Sequence, residues 1–332
     1  MNYNQLNNVI EAFREHDRYL ILIHDKPDGD ALGSGTALAL FLAKLGKRSA
    51  VLSPSAIPER LAFVKSPDVT YFEQNVPKEY AYEAIITADV ASTSLLCGLE
   101  AVLSRGVDIV IDHHRVNTVD APVKYVDENA AATGEIIFSL CSMYAMVMHD
   151  NVFDTALCSA LYTAISSDTG CFRYGNTTAE TLDIASKLMS VGIPAEEINR
   201  RLFDTKTLAQ IRTEQLAYQK LTLYHDNRLA LIVIDCKELE EIGASEEDTE
   251  TLSQLARMIV GVQIGVLMRE KCYPDGRIGY KFSVRSNVDT DVSALCAAFN
   301  GGGHKKAAGC TIFDTKQAAL EAFVNKAADY LV

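Results

Sequence analysis

No apolar run in this chain approaches the ~18 residues of a membrane span, which argues against a helical anchor in a bilayer. None of its eight cysteines stands in CxxC spacing, and most are flanked by apolar or small residues. They are expected to be reduced core thiols of a cytoplasmic protein. Basic charge is scarce too: 31 Lys and Arg face 44 Asp and Glu, a net charge of −13. That opposes a long electrostatic footprint on DNA or RNA, so a nucleic-acid substrate would have to be short. The opening MNYNQLNNVIEAFREHDR is polar and acidic and predicts neither a secretory signal nor a transit peptide. No internal repeat or low-complexity linker is visible, so any hinge is short or helical.

The rest of the composition is that of a globular chain. With 332 residues, 48% hydrophobic and 23% charged, it is long enough for two domains with separate cores. The first half alternates apolar strands (19–24, 49–53, 84–89, 107–112, 123–126) with helical patterns (5–15, 31–45, 95–104, 134–148). Such alternation predicts an α/β fold, a mostly parallel sheet with helices on both faces. The pattern is helical from 153 to about 223, with Thr177 and Glu180 suggesting a capping box. From Leu229 the segments LALIVID, GVQIGVLMRE and GRIGYKFSVRS read as strands, the last two joined by a Pro-Asp-Gly turn, with helices over 247–259, 292–299 and 316–331. The expected division is a catalytic domain over 1–190, a helical connector over 191–228 and a smaller α/β domain over 229–332.

Four segments end apolar runs in metal-ligating residues. ILIHDKPDGDALGS delivers His24, Asp28 and Asp30; EAIITAD ends at Asp89; VDIVIDHH ends at Asp112, His113 and His114; LYTAISSD ends at Asp168. In an open parallel sheet, ligands sit beyond the carboxyl ends of the strands, which is where His24, Asp89 and Asp112–His114 fall. The turn with Pro27 and Gly29 lets His24 and Asp28 face one ion, while Asp30 reaches a neighbouring one. Asp89 is the candidate bridge, and His113 and Asp168 complete the ligands of the second ion. Asp112 is expected to orient His113 through its other ring nitrogen, leaving His114 to meet a phosphate. A lone Asp after a strand is often only a helix cap, and a His-His pair is often a surface feature. Four such segments in order favour two divalent cations and phosphoryl chemistry. Oxygen-rich ligands with two imidazoles suit manganese better than zinc or calcium.

A second set of candidates lies in the C-terminal part. The segment 257–306 carries eight Lys and Arg against four acids. Gly301, Gly302 and Gly303 before His304 would let a backbone approach a ligand and aim amides at an anion, although a glycine run is more often a plain turn. Arg285 could clamp a phosphate; a surface strand arginine is the plainer alternative. Arg115 and Arg173 adjoin the metal motifs and are secondary candidates. Lys271, Arg277 and Lys281 around the Pro-Asp-Gly turn read best as a solvated strand face.

HDKPDGDALGS, Asp89, the DHH triplet, SSDTGCF around Asp168 and NGGGHKKAAG from Asn300 together resemble the DHH phosphoesterase superfamily with its DHH-associated C-terminal domain. Within it the chain is most similar to the nanoRNase group, oligoribonucleases that also dephosphorylate 3′-phosphoadenosine 5′-phosphate. The resemblance implies one manganese on His24, Asp28 and Asp89 and another on Asp30, Asp89, His113 and Asp168, with magnesium or cobalt as substitutes. It implies His114 at the substrate phosphate, with Asp89 and Asp112 completing the catalytic group. It further implies a grip on the far end of the substrate by Arg285, Gly301, Gly302, Gly303 and His304, across a cleft between the domains. After Asp89 the chain reads VASTSLLCGLE, uncharged up to its last residue, where relatives often carry charge, so no phosphate contact is expected there.

The expected function is manganese-dependent hydrolysis of short oligoribonucleotides and small nucleotides by a water activated between two metals. The alternatives are a phosphodiesterase for cyclic dinucleotides or their linear products and, in another class, a nucleotide-binding sensor without chemistry. The presence of every ligand type disfavours the sensor. No long nucleic acid and no membrane are expected as partners, and a homodimer is plausible.

Overall fold

The computed structural model describes residues 3–249, 251–273 and 275–332. The chain divides into two compact units, 1–205 and 206–332. The expected connector is shared between them: the helix Ala195–Asn199 belongs to the first unit, and Leu208–Lys220 to the second.

The first unit is built on strands β1 (Arg18–Leu22), β2 (Arg48–Ser53), β3 (Thr70–Glu73), β4 (Ala84–Ala88), β5 (Ile109–Asp112) and β6 (Val123–Val126), in the order β3-β2-β1-β4-β5-β6. All pairings are parallel. The strands are apolar on both sides because both sides are covered. Tyr19, Ile21 and Ile23 pack on the helices Tyr3–Glu15, Gly29–Lys44, Thr133–Met148 and Thr155–Asp168, while Leu20 and Leu22 join Leu96, Leu99 and Val110 on the other face. Each such side chain removed from water contributes roughly 1.5–3 kcal/mol. The expected helix over 95–104 is instead two short pieces, Thr93–Leu96 and Glu100–Leu103. Gly98, at φ +87°, breaks it. The capping box lies one residue further on than expected, between Thr178 and Thr181.

The second unit carries β7 (Leu221–Tyr224), β8 (Leu229–Ile234), β9 (Ile264–Cys272), β10 (Ile278–Ser286), β11 (Gly302–His304) and β12 (Ala307–Ile312), in the order β11-β12-β10-β9-β8-β7. Only β8 and β9 pair in parallel. One face packs Val266, Phe282 and Val284 on Leu295, Ala319 and Phe323; the other packs Ile232 and Leu267 on Ala217, Leu252 and Ala256. Of the expected Pro-Asp-Gly turn, Pro274 lies outside the described residues, as does Glu250 of the expected helix 247–259. What remains of that helix is the turn Glu247–Thr249 and the helix Leu252–Arg257. Among the described residues no helix is long and apolar enough to cross a membrane. Cys97 and Cys272 are exposed, against the expectation of core thiols, whereas Cys141, Cys158, Cys296 and Cys310 are buried.

Candidate metal centre and associated groups

The first sheet changes direction between β1 and β4, from which the chain runs to β2 and β3 on one side and to β5 and β6 on the other. Such a switch point leaves a crevice at the carboxyl ends of the central strands. The turn after β1, Asp89 after β4 and Asp112–His114 at the end of β5 emerge there side by side. Asp168 arrives on the last turn of the Thr155–Asp168 helix.

Helix termini fix the acids. Asp28 is the N-cap of the Gly29–Lys44 helix, accepting from the amides of Asp30 and Ala31, both at 3.0 Å. Asp30, fully buried, accepts from Ser34 Oγ at 2.8 Å and from the amides of Thr133 at 2.7 Å and Gly134 at 3.1 Å. The helix Thr133–Met148 has no side-chain cap of its own. Asp30 therefore acts as a cap, but for a distant helix, whose positive end favours its charge. Asp89 is buried, accepts from Thr133 Oγ1 at 3.1 Å and has φ +60°, a backbone region few non-glycine residues occupy and where Asp is among the most tolerant.

Asp89 stands between two groups of ligand atoms. His24 Nε2 lies 3.7 Å from both Asp28 Oδ1 and Asp89 Oδ2. His113 Nε2 lies 3.2 Å from Asp168, 3.6 Å from Asp89 Oδ1 and 3.7 Å from Asp30. His24, Asp28 and Asp89 form one set able to hold an ion, and Asp30, His113 and Asp168 another, each with its ligand atoms within 4.8 Å of one another. Asp89, His113 and His114 form a third, overlapping set. Both ligand imidazoles are turned by a backbone carbonyl: His24 Nδ1 lies 2.8 Å from Asp25 O, and His113 Nδ1 3.2 Å from Ala130 O. A proton on each Nδ1 leaves Nε2 free to ligate.

The electrostatics of this crowd ask for positive charge. Burial, then Asp168, lifts the Asp30 carboxyl to about 7. Burial and the charges of Asp30 and Asp28 lift Asp89 well above the carboxylate range. Burial opposes a charge on His113, but the Asp168 hydrogen bond and the Asp30 and Asp89 charges outweigh it and raise the imidazole to about 10. Against burial, His24 is raised by Asp28, and Asp28 is lowered by His24. Two imidazoles and four carboxylates whose mutual repulsion is relieved by positive charge fit divalent cations by their chemistry.

The structure corrects the expected role of Asp112. Its carboxylate accepts from His114 Nδ1 at 2.8 Å and from the backbone amide of His113 at 2.9 Å, so it orients the ring of His114 and not that of His113. The turn after β5 sends the His113 ring towards Ala130, where Nδ1 meets the carbonyl. Asn117 holds the other carboxylate oxygen at 2.6 Å and is itself tied to Val90 O at 2.9 Å. Despite burial, His114 and Asn117 keep Asp112 below the ordinary range. Thr133, Ser34 and Asn117 had no sequence signal of their own; only the opening of a predicted helix at Gly134 pointed near the first.

The remaining candidates are less tightly held. Arg115 is exposed and 3.5 Å from Glu128. Arg173 donates to Gly170 O at 2.6 Å and lies over the Phe203 ring. Neither is brought into the ligand groups. In the second unit the glycine run forms the edge of a hairpin, Gly302 pairing with Gly309 and His304 with Ala307. A Cβ on Gly301 would stand 2.2 Å from Gly309 O, and one on Gly303 (φ +143°) 2.6 Å from Ala307 O, whereas Gly302 has open space. Two of the three glycines thus serve the hairpin itself. His304 is exposed, and Arg285 on β10 is half-buried, its guanidinium lowered by burial and by the nearby Arg257.

The profile of the DHH family N-terminal domain matches residues 18–165, and that of the DHHA1 domain residues 229–332. The chain belongs to the DHH phosphoesterase superfamily. This DHH protein is accordingly an enzyme of the phosphoric ester hydrolase class. Over 293 residues it is 28% identical to a Thermus thermophilus protein described as bifunctional oligoribonuclease and PAP phosphatase NrnA, covering 88% of this chain and 83% of that one. A Bacillus subtilis protein of the same description is 25% identical over 310 residues, covering 93% and 94%. Among solved structures, an exopolyphosphatase-related protein from Bacteroides fragilis matches at TM-score 0.87 and 24% identity, covering 99% of this chain and 97% of that one. That likeness attests the fold.

Proposed function

We propose that this DHH protein is a manganese-dependent hydrolase that shortens small oligoribonucleotides to mononucleotides and removes the 3′-phosphate of 3′-phosphoadenosine 5′-phosphate. The observation that carries the metal reading is the position of Asp89, with one carboxylate oxygen towards His24 and the other towards His113. The NrnA relatives, aligned over most of their length, support the substrate class.

In this reading His24, Asp28 and Asp89 hold one cation, and Asp30, Asp89, His113 and Asp168 the other. A pair of divalent cations supplies Lewis-acid polarisation of a phosphoryl oxygen and a water of lowered pKa. The protein supplies positioning: the carbonyls of Asp25 and Ala130 fix the imidazole faces, and Asp30 ties the ligand turn to a helix terminus. His114, steadied by Asp112, directs Nε2 at a phosphate oxygen, where it balances developing charge or passes a proton to the leaving oxygen. Arg285 and the Gly301–His304 hairpin are assigned to the distal phosphate or nucleoside of the substrate. Localisation in the cytoplasm belongs to the same proposal.

The test is a time course with manganese, with and without chelator, on an RNA dinucleotide, a long RNA, 3′-phosphoadenosine 5′-phosphate and cyclic di-AMP. Chelator-sensitive turnover concentrated on the dinucleotide and the bisphosphate is expected. Preference for the cyclic compound overturns the substrate assignment, and binding of any of them without turnover overturns the hydrolase mechanism.

A further inference from the structure

We infer that the second unit carries an extended single-strand binding lane, in which RNA bases beyond those gripped at Arg285 stack on the Tyr273–Phe313 ring pair. It rests on the oligonucleotide reading for the polymer it names. It uses residues to which that reading gives no task.

Side chains alternate across a strand, so Gly279, Lys281, Ser283 and Arg285 of β10 share one face, while Tyr280, Phe282 and Val284 enter the core. On that face Lys281 is paired with Thr311, Ser283 with Gly309 and Arg285 with Ala307 of β12. At ~3.4 Å per residue, Lys281 and Arg285 stand ~14 Å apart along the strand. Between them the floor is made of small groups, Ser283, Gly309 and Ala307. The result is a shallow trough with a cation at each end, suited to an anionic backbone. A cavity of about 490 Å³ opens at its Lys281 end, walled in part by Phe299, Asn300, Thr311 and Phe313. That is within the size range of small-molecule sites.

Beyond Lys281 the face ends in a half-buried Tyr273 and an exposed Phe313, flanked by cations. The Tyr273 and Phe313 rings have centroids 5.3 Å apart, with Lys271 5.4 Å from the first ring and Arg277 4.8 Å from the second. Phe313 is 49% exposed. Gly279 lies beneath: a Cβ there would come within 3.1 Å of both rings and of Thr311, so its absence lets the rings lie down on the strand. Nearby, Asp275 pairs with Arg277 at 2.7 Å and Glu246 with Arg269 at 3.4 Å. A merely solvated strand face needs neither the ring pair nor the adjoining cavity. Aromatic stacking with interleaved cations is how single strands are held without regard to sequence.

The test is fluorescence anisotropy with labelled single-stranded RNA dinucleotide and pentanucleotide, in chelator so that nothing is turned over, on the full chain. The wild-type protein is expected to bind the pentanucleotide at least about tenfold more tightly than the dinucleotide, the effect of about one stacked base. Phe313→Ala, and separately Phe313→Leu, which keeps the apolar packing but removes the stack, are expected to cut that ratio several-fold. Lys281→Gln is expected to lower the salt dependence of pentanucleotide binding by roughly one phosphate contact. Equal wild-type affinities for the two lengths, or an unchanged ratio in both Phe313 variants, overturn the lane. A length preference lost in these variants, in a protein that fails to hydrolyse the dinucleotide with manganese, upholds the lane and defeats the proposed function instead.

Discussion

In the first unit the acids and imidazoles are held from behind. Asp30 takes three donors from two helices, His24 and His113 are turned by carbonyls, and Asp112 is pinned by Asn117. In the second unit Arg285 donates to the carbonyl of Val284 at 3.1 Å, and His304 lies exposed on a hairpin edge. One region spends many contacts to fix a few ligand atoms, as chemistry at a metal requires. The other carries cations and rings on one strand face, which the proposed lane would use to hold chains of varying length. The contrast teaches that catalytic precision and substrate tolerance can be housed on separate sheets.

The comparison breaks most completely at Asp89. Asp89→Ala is expected to abolish dinucleotide hydrolysis and to lower the manganese content of the purified protein; normal turnover would sink the shared-ligand assignment. Asn117→Ala tests the support behind the site. Turnover is expected to fall about 10–100-fold with the melting temperature little changed, and wild-type rates would show that Asp112 needs no such anchor. On the open side, Arg285→Ala should raise KM about tenfold or more by removing a charged hydrogen bond, with kcat close to wild type. A fall in kcat at unchanged KM would place Arg285 at the chemistry instead. Gly303→Ala should lower the melting temperature by distorting the hairpin, while Gly302→Ala, which meets no protein atom, should leave it unchanged; equal melting temperatures would contradict the hairpin geometry.

The smallest effect concerns the frame. Asp154 caps the Thr155–Asp168 helix and pairs with Lys44. Burial works against its charge, but the Leu157 amide and Lys44 outweigh it and lower its pKa. A carboxyl held low when folded adds stability above its unfolded pKa of about 3.9, and that stability is lost as pH falls through the folded value. The ion pair is half exposed and adds little. Asp154→Ala should therefore cost about 1 kcal/mol at neutral pH, the worth of the cap, with melting curves converging below about pH 4. A difference that persists in acid would point to packing as its source.

What could be read from residues alone divides in the same way. The clustering of His24, Asp28, Asp30, Asp89, His113 and Asp168 was legible because each closes an apolar segment or lies in the turn just after one, and parallel strands bring their carboxyl ends together. The partners behind them were not, because Thr133 and Gly134 act through backbone amides and Ala130 through a carbonyl, groups every residue carries. The role of Asp112 was assigned to the wrong histidine, since a turn of two residues decides which ring swings back. In the second unit β11 and β12 were missed: Gly302, Gly303 and Gly309 have low strand propensity, β12 being paired to β10 and β11 in turn to β12. The aromatic cluster was hidden because Tyr273 and Phe313 are far apart in sequence and meet only across the sheet.

The double duty of Asp30 has a practical consequence for anyone wishing to capture this enzyme with an uncleaved substrate. Replacing a ligand is the usual way to stall such a reaction. At Asp30 that choice would also uncap the Thr133–Met148 helix, and a loss of signal could not be told from a loss of architecture. His114, which is 40% exposed at its side chain and anchors no helix, is the better place to stop the clock.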